Sequence, residues 1–261
     1  MAISPAVTAK SAARPGNGGV RLTKTSMLIA QRIIGDVVRG GLRPGDLLPP
    51  EKTMLDTYAT GRGTLREALR LLEFQGVITL KPGPKGGPVL CDPDASHLSS
   101  TMVLLMQLKQ VPFRVIAEFR MSVEPLISHM AAERISSEAL AELAQTVSQM
   151  SGDLDDEHSF LEANERFHDV IAWSSGNAMF GYIIDSVLGI MDGSTIGIDY
   201  PLHRRKAILN AHENILHALA AHDPEQSQAR MREHIEAYMT YAQRKFPEVM
   251  GKVIRWDRLS F

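Results

Sequence analysis

Between residues 95 and 245, apolar residues recur at helical spacing and no convincing period-two stretch appears. A chain half with this pattern cannot build a sheet; it must bury helix faces against one another. Helices are predicted near residues 95–109, 112–134, 137–151, 155–174, 177–192, 202–221 and 224–245. The breaks carry helix-ending and helix-starting residues: Ser136-Ser137, Gly152-Asp153, Ser175-Gly176-Asn177, Tyr200-Pro201 and Asp223-Pro224.

The front of the chain reads differently. Ile29, Ile33 and Val37 repeat at helical spacing from Ser26 until Gly40-Gly41 ends the run. A turn at Arg43-Pro44-Gly45-Asp46 leads to Leu47-Leu48-Pro49-Pro50-Glu51, which opens a short helix, with Pro suited to its first turn, running to about Tyr58. After Ala59-Thr60-Gly61, a helix is expected from Arg62 to Gln75, closed by Gly76. Val77–Lys81 and Pro88–Leu90 flank a Gly- and Pro-rich tip and read as a β-hairpin. Helix, helix, turn, helix, hairpin is a winged helix-turn-helix. The expected fold is therefore mainly α: a winged helix-turn-helix followed by an all-helical bundle. The expected domains are a disordered arm (1–20), the winged unit (21–91), the helical domain (92–246) and a tail (247–261) that reads equally as packed or disordered.

Charge is divided the same way. Residues 1–91 hold 13 Lys+Arg against 6 Asp+Glu, so +7; the remaining 15 and 24 give −9. A basic front is the candidate partner for a polyanion, although clustering of this size also arises by chance. All nine histidines lie in the acidic half. The one cysteine, Cys91, excludes an intrachain disulfide and a thiolate metal cluster, and fits a reducing, cytoplasmic setting. No apolar run approaches the roughly 18 residues of a membrane span, so no membrane partner is expected.

On the helix from Arg62, the residues Leu65, Ala68, Leu69 and Leu72 share one face, and Arg62, Arg66 and Arg70 recur on another. Three stacked arginines repel unless an anion lies there, and arginine reads guanine bidentately in the major groove. Gly63 and Thr64 are small enough to let the helix start approach bases or a phosphate. Lys52 precedes this helix, and Lys81, Gly83 and Lys85 belong to the hairpin tip, suited to phosphate. The competing reading is a solvated basic face.

Leu48-Pro49-Pro50-Glu51-Lys52, followed by Arg62-Gly63-Thr64-Leu65-Arg66-Glu67-Ala68-Leu69-Arg70, resembles the GntR family of bacterial regulators over most of residues 26–90. Gly61 stands where that family usually has serine, and Lys52 where it usually has arginine. The resemblance implies DNA contacts by Arg62, Thr64 and Arg66, with Lys52 and the Gly83 tip in support. It also implies a homodimer on a pseudo-palindromic double-stranded operator.

In the helical half, polar residues interrupt faces that should be buried. One stripe holds Arg120 and Glu124, a second Asn164 and His168, a third His212, and a fourth His234, Tyr238 and Tyr241. Each needs a partner once buried. Three neutral imidazoles, with Asn164 one turn from His168, suit Zn, Ni or a similar divalent ion; individually satisfied core histidines are the alternative. Glu118–Pro125, Asn164–His168, Ser175–Asn177, His212–Leu216 and Met231–His234 resemble the FCD effector domain of the FadR subfamily over most of residues 95–245. Many such domains bind a metal through one Asp and three His. The likeness implies His168, His212 and His234 as ligands, with Asn164 in the place of the Asp, and Arg120 for an effector's acidic group. The function implied is a repressor, not an enzyme, controlled by a small carboxylate. The alternatives are a metal-dependent hydrolase joined to a DNA-binding module, a metal-free fatty-acyl-responsive regulator, or an architectural DNA-binding protein. Ten of the thirteen methionines follow residue 92, as either core filling or an adaptable pocket lining.

Overall fold

In a computed structural model of the chain, residues 20–83, 86–191 and 197–258 are described. The arm expected over residues 1–20 lies outside them, apart from Val20, and so does Lys85. The chain divides into two compact units, one up to Pro93 and one from Asp94.

The first unit holds α1 (Val20–Gly40), α2 (Glu51–Tyr58), α3 (Arg62–Phe74), β1 (Ile78–Lys81) and β2 (Gly87–Leu90). Helix α1 starts six residues before the apolar repeat does, in a stretch that holds good helix formers and no Gly or Pro to stop it. Ile29, Ile33 and Val37 of α1, Met54 and Tyr58 of α2, and Leu65, Ala68, Leu69 and Leu72 of α3 form one core, closed by Ile78 and Leu90 of the hairpin. Helix α3 ends in a Schellman motif: Gly76 N–H donates to Glu73 O and Val77 N–H to Leu72 O, with Gly76 at φ 69°. The strands pair antiparallel, Ile78 opposite Leu90 and Lys81 opposite Gly87. Tyr58 donates to Asp36 (2.8 Å), tying α2 to α1.

The second unit holds α4 (Ser96–Leu108), α5 (Arg114–Arg134), α6 (Ser137–Gly152), α7 (Glu157–Ser174), α8 (Ala178–Leu188), α9 (Leu202–Ala220), α10 (Pro224–Lys245) and the short α11 (Pro247–Gly251). Side chains cap four of the starts: Ser136 for α6, Asp156 for α7, Asn177 for α8 and Asp223 for α10. Helix α8 ends at Leu188, four residues short of the expected end at 192, with Gly189 as its cap. Helix α5 lies against α7 and α10, and α9 packs on α10. This arrangement turns the inner faces of α5, α7, α9 and α10 toward one another. Residues 247–257 are packed: Phe113 N–H donates to Lys252 O (2.8 Å), and the Trp256 indole donates to Ser100 Oγ (2.8 Å). Most of the late methionines fill this core, and of these Met191 reaches a cavity. Among the described residues, no helix is long and apolar enough to cross a membrane.

Candidate metal centre and DNA-facing helix

His168 of α7, His212 of α9 and His234 of α10 are all buried, and their rings converge. His234 Nε2 lies 3.2 Å from His168 Nε2 and 3.3 Å from His212 Nε2. One ligand atom of each falls within 4.8 Å of the others. Phe167 stacks on the His212 ring (centroids 4.0 Å apart, 12° between planes) and holds its orientation.

Burial pushes the pKa of all three below the usual 6.5, well below for His212 and His234, and the neighbouring imidazoles add to the effect for those two. The rings are therefore neutral, each with one lone pair. His234 Nε2 can satisfy only one of its two neighbours by hydrogen bonding; the third nitrogen is left over. A divalent cation accepts all three lone pairs at once. Zn–N bonds of about 2.1 Å at tetrahedral angles put ligand nitrogens about 3.4 Å apart, close to the two short separations seen here.

Glu124 of α5 is the buried acid beside this cluster. One oxygen lies 2.6 Å from His168 Nδ1, off the axis of a well-aligned ring N–H. The other accepts from Arg120 Nε, one turn away on the same helix. Burial alone would raise the Glu124 pKa, but Arg120 and His168 overcome it and hold the carboxyl well below the usual range. Arg120, although buried, stays charged because Glu124 outweighs its desolvation. Its Nη1 approaches Met191 Sδ (3.3 Å), and its Nη2 has no hydrogen-bond partner.

A cavity of about 720 Å³ opens beside these groups, lined by Arg120, Asn164, His168 and His234, and also by Arg204 and Tyr238. Asn164 is half-buried one turn before His168. The structure thus brings together five residues singled out from sequence on the wall of one cavity or in contact with it: Arg120, Asn164, His168, His212 and His234. The bridging role of Glu124 was not readable, since its second partner sits on another helix. Arg204, also on the wall, gives no signal in the sequence: it follows Tyr200-Pro201 in the first turn of α9, where an arginine reads as solvated.

In the first unit, α3 buries Leu65, Ala68, Leu69 and Leu72 and exposes Arg62, Gly63, Arg66 and Arg70; Thr64 is half-buried. Gly61 precedes α3 in an extended conformation with no side-chain cap, leaving the first-turn amides open. Arg66 Nε lies 3.5 Å from Glu51 Oε1, an exposed pair that any phosphate would compete with. Lys52 is exposed on α2, Lys81 ends β1 exposed, and Gly83 is exposed at φ 105°.

Two family models match: the FCD domain over residues 115–237, and the gntR family of bacterial regulatory proteins over residues 25–84. The chain is 33% identical over 208 residues to the uncharacterized HTH-type transcriptional regulator YcbG of Bacillus subtilis (strain 168), covering 80% of this chain and 85% of that protein. It is 30% identical over 144 residues to the galactonate operon transcriptional repressor of Escherichia coli (strain K12), covering 54% and 62%. Its fold is similar to Streptococcus agalactiae GntR, with a TM-score of 0.65 at 20% identity over 82% of this chain and 99% of that one. Glu124, the acid nearest the three histidines among those singled out from sequence, is engaged with Arg120 and His168. The chain belongs to the GntR family of bacterial regulatory proteins, as a DNA-binding transcriptional regulator that carries an FCD domain and is not an enzyme.

Proposed function

We propose that this regulator is a homodimeric repressor. Its α3 helices read the two halves of a pseudo-palindromic operator, and a small carboxylate bound beside a divalent metal ion in the helical domain releases it from DNA. The observation that carries the sensing half is the convergence of three neutral imidazoles beside an arginine whose Nη2 has no partner, on one cavity. His168, His212 and His234 would hold the ion, with Asn164 as a fourth, weaker oxygen ligand. The metal would supply an open position for a carboxylate oxygen, and Arg120 Nη2 would donate to the same group. Hydroxylated acids suit the site, because a second oxygen can also reach the ion; a relative is named for the operon of galactonate, itself a polyhydroxy acid.

For the DNA half, the support is the separation of faces on α3: four apolar residues inward, Arg62, Arg66 and Arg70 outward. Arg62, Gly63, Thr64 and Arg66 would meet base edges in the major groove, and Lys52, Arg70, Lys81, Gly83 and Lys85 the backbone.

The test is an operator-binding titration with a panel of sugar and hydroxy acids on zinc-loaded protein. Wild type should leave its operator in the presence of one class of acid, through a coupling of about 1–3 kcal/mol. Arg120→Ala should bind operator but fail to respond, and Arg120→Lys should respond in part, since it keeps the charge and loses the fork. Release by neutral or cationic compounds instead, or a wild-type response from Arg120→Ala, contradicts the sensing mechanism and leaves DNA binding standing.

A further inference from the structure

The two arginines on the cavity wall differ in their surroundings. Arg120 already has Glu124 as its counter-charge. Arg204 has none: among the described residues the groups acting on it are the phenols of Tyr200, Tyr238 and Tyr241, whose raised pKa values keep them neutral, and its guanidinium lies 4.8 Å above the Tyr241 ring. It is only partly exposed, and burial lowers its pKa with no carboxylate to offset the loss. Its Nε, shielded from solvent, has no hydrogen-bond partner. The Tyr238 hydroxyl is also poorly served: Tyr238 is 7% exposed and lines the cavity, and its oxygen has no well-aligned partner, the nearby Tyr200 phenol making a weak contact with it.

A guanidinium with a shielded, unpartnered Nε and a buried hydroxyl with no well-aligned partner are costly to keep, and they face a space that a ligand can enter. Four acidic residues line the wall: Glu157 accepts from Arg205 (3.3 Å) and from the Tyr200 amide (3.3 Å), Glu162 lies 3.4 Å from His158, and neither Glu165 nor Asp199 is among the groups acting on Arg204. The metal–Arg120 end would neutralise one carboxylate. Arg204 and Tyr238 supply a positive charge and a donor from α9 and α10, on groups that the first carboxylate does not use.

We infer that Arg204 and Tyr238 form a second oxyanion seat, so that the preferred effector is a short dianion with acidic groups at both ends. This rests on the carboxylate-sensing function proposed above and extends it from a monoacid to a diacid. An anion at this seat replaces the missing counter-charge of Arg204, accepts its Nε–H, and accepts the Tyr238 O–H.

The test compares three probes on one six-carbon chain by calorimetry with zinc-loaded full-length protein. Galactitol has no carboxylate, galactonate has one and galactarate has two. Wild type should bind galactarate at least about tenfold tighter than galactonate, and galactitol weakest. Arg204→Gln should bring galactarate down to the level of galactonate. Arg204→Lys, a milder change checked for folding by its thermal midpoint, should keep part of the preference. Equal binding of galactonate and galactarate by wild type, or a preference that survives Arg204→Gln, overturns the second seat and leaves the single-carboxylate sensor intact. Binding of galactitol as tight as that of both acids overturns the seat and the carboxylate sensor together.

Discussion

Glu124 Oε2 approaches His168 Nδ1 to 2.6 Å from the neighbouring helix, while its other oxygen holds the Arg120 guanidinium. One buried carboxylate therefore touches both a candidate metal ligand and the candidate effector arginine. A proton on His168 Nδ1, facing this carboxylate, would leave the Nε2 lone pair to the cluster. Glu124 would also link the two halves of the proposed sensing site: a ligand that drew Arg120 forward would pull on the group beside His168.

Glu124→Gln should accordingly weaken metal binding by about 10–100-fold, the usual effect of removing such an outer partner. Competition with a chromophoric chelator measures this directly. An unchanged dissociation constant would mean that Glu124 serves Arg120 alone.

Asn164→Asp should tighten metal binding, because an anionic oxygen one turn from His168 replaces a neutral amide. The same chelator competition reads it. A loss of affinity would place the side chain outside the coordination shell.

Much of this was legible in advance, for identifiable reasons. Helices α5, α7, α9 and α10 carry polar residues at helical spacing on otherwise apolar stripes, so the inward position of Arg120, His168, His212 and His234 could be read from periodicity. Asp223 before Pro224 marks a helix start in any context. What periodicity cannot give is the pairing between helices. Whether Glu124 meets His168 or only Arg120 depends on how α5 and α7 pack. Arg204 was illegible for a related reason: its surroundings are three tyrosines, two of them, Tyr238 and Tyr241, from α10. The packed end of the chain was open for a similar reason, since Trp256 finds Gln107 and Ser100 across 149 and 156 residues.

On DNA, Arg62→Ala and Arg66→Ala should each cost about 1–3 kcal/mol in specific binding if each makes a bidentate base contact. Lys81→Ala and Lys85→Ala should weaken binding evenly across sequences and flatten the salt dependence, as lost phosphate contacts do. Glu51→Gln should strengthen binding slightly by freeing Arg66. Fluorescence anisotropy against an operator obtained by selection, at several salt concentrations, separates these effects. Wild-type affinity in both arginine variants would remove α3 from the interface.

The three depressed histidine pKa values set a pH dependence for the metal-free protein. At pH 6.5 the folded chain keeps these rings neutral, whereas the unfolded chain, with its histidines near 6.5, takes up protons. The unfolded state then binds more protons, so stability is full above about pH 7.5 and falls as pH drops through 6.5 toward 5. Glu124, held well below the usual carboxylate range, does not titrate in that window. Urea unfolding with chelator present, at intervals between pH 5 and 8, should show this slope. His212→Gln should make it shallower.

The most direct test of the sensing site is the metal content of the purified protein after equilibration with zinc or nickel and removal of the excess. One ion per chain at neutral pH is expected, with most of it lost in His168→Ala, His212→Ala and His234→Ala, and lost from wild type near pH 5 as the imidazoles protonate. Occupancy well below one per chain in wild type, unchanged by those substitutions, would contradict a metal centre at these three histidines.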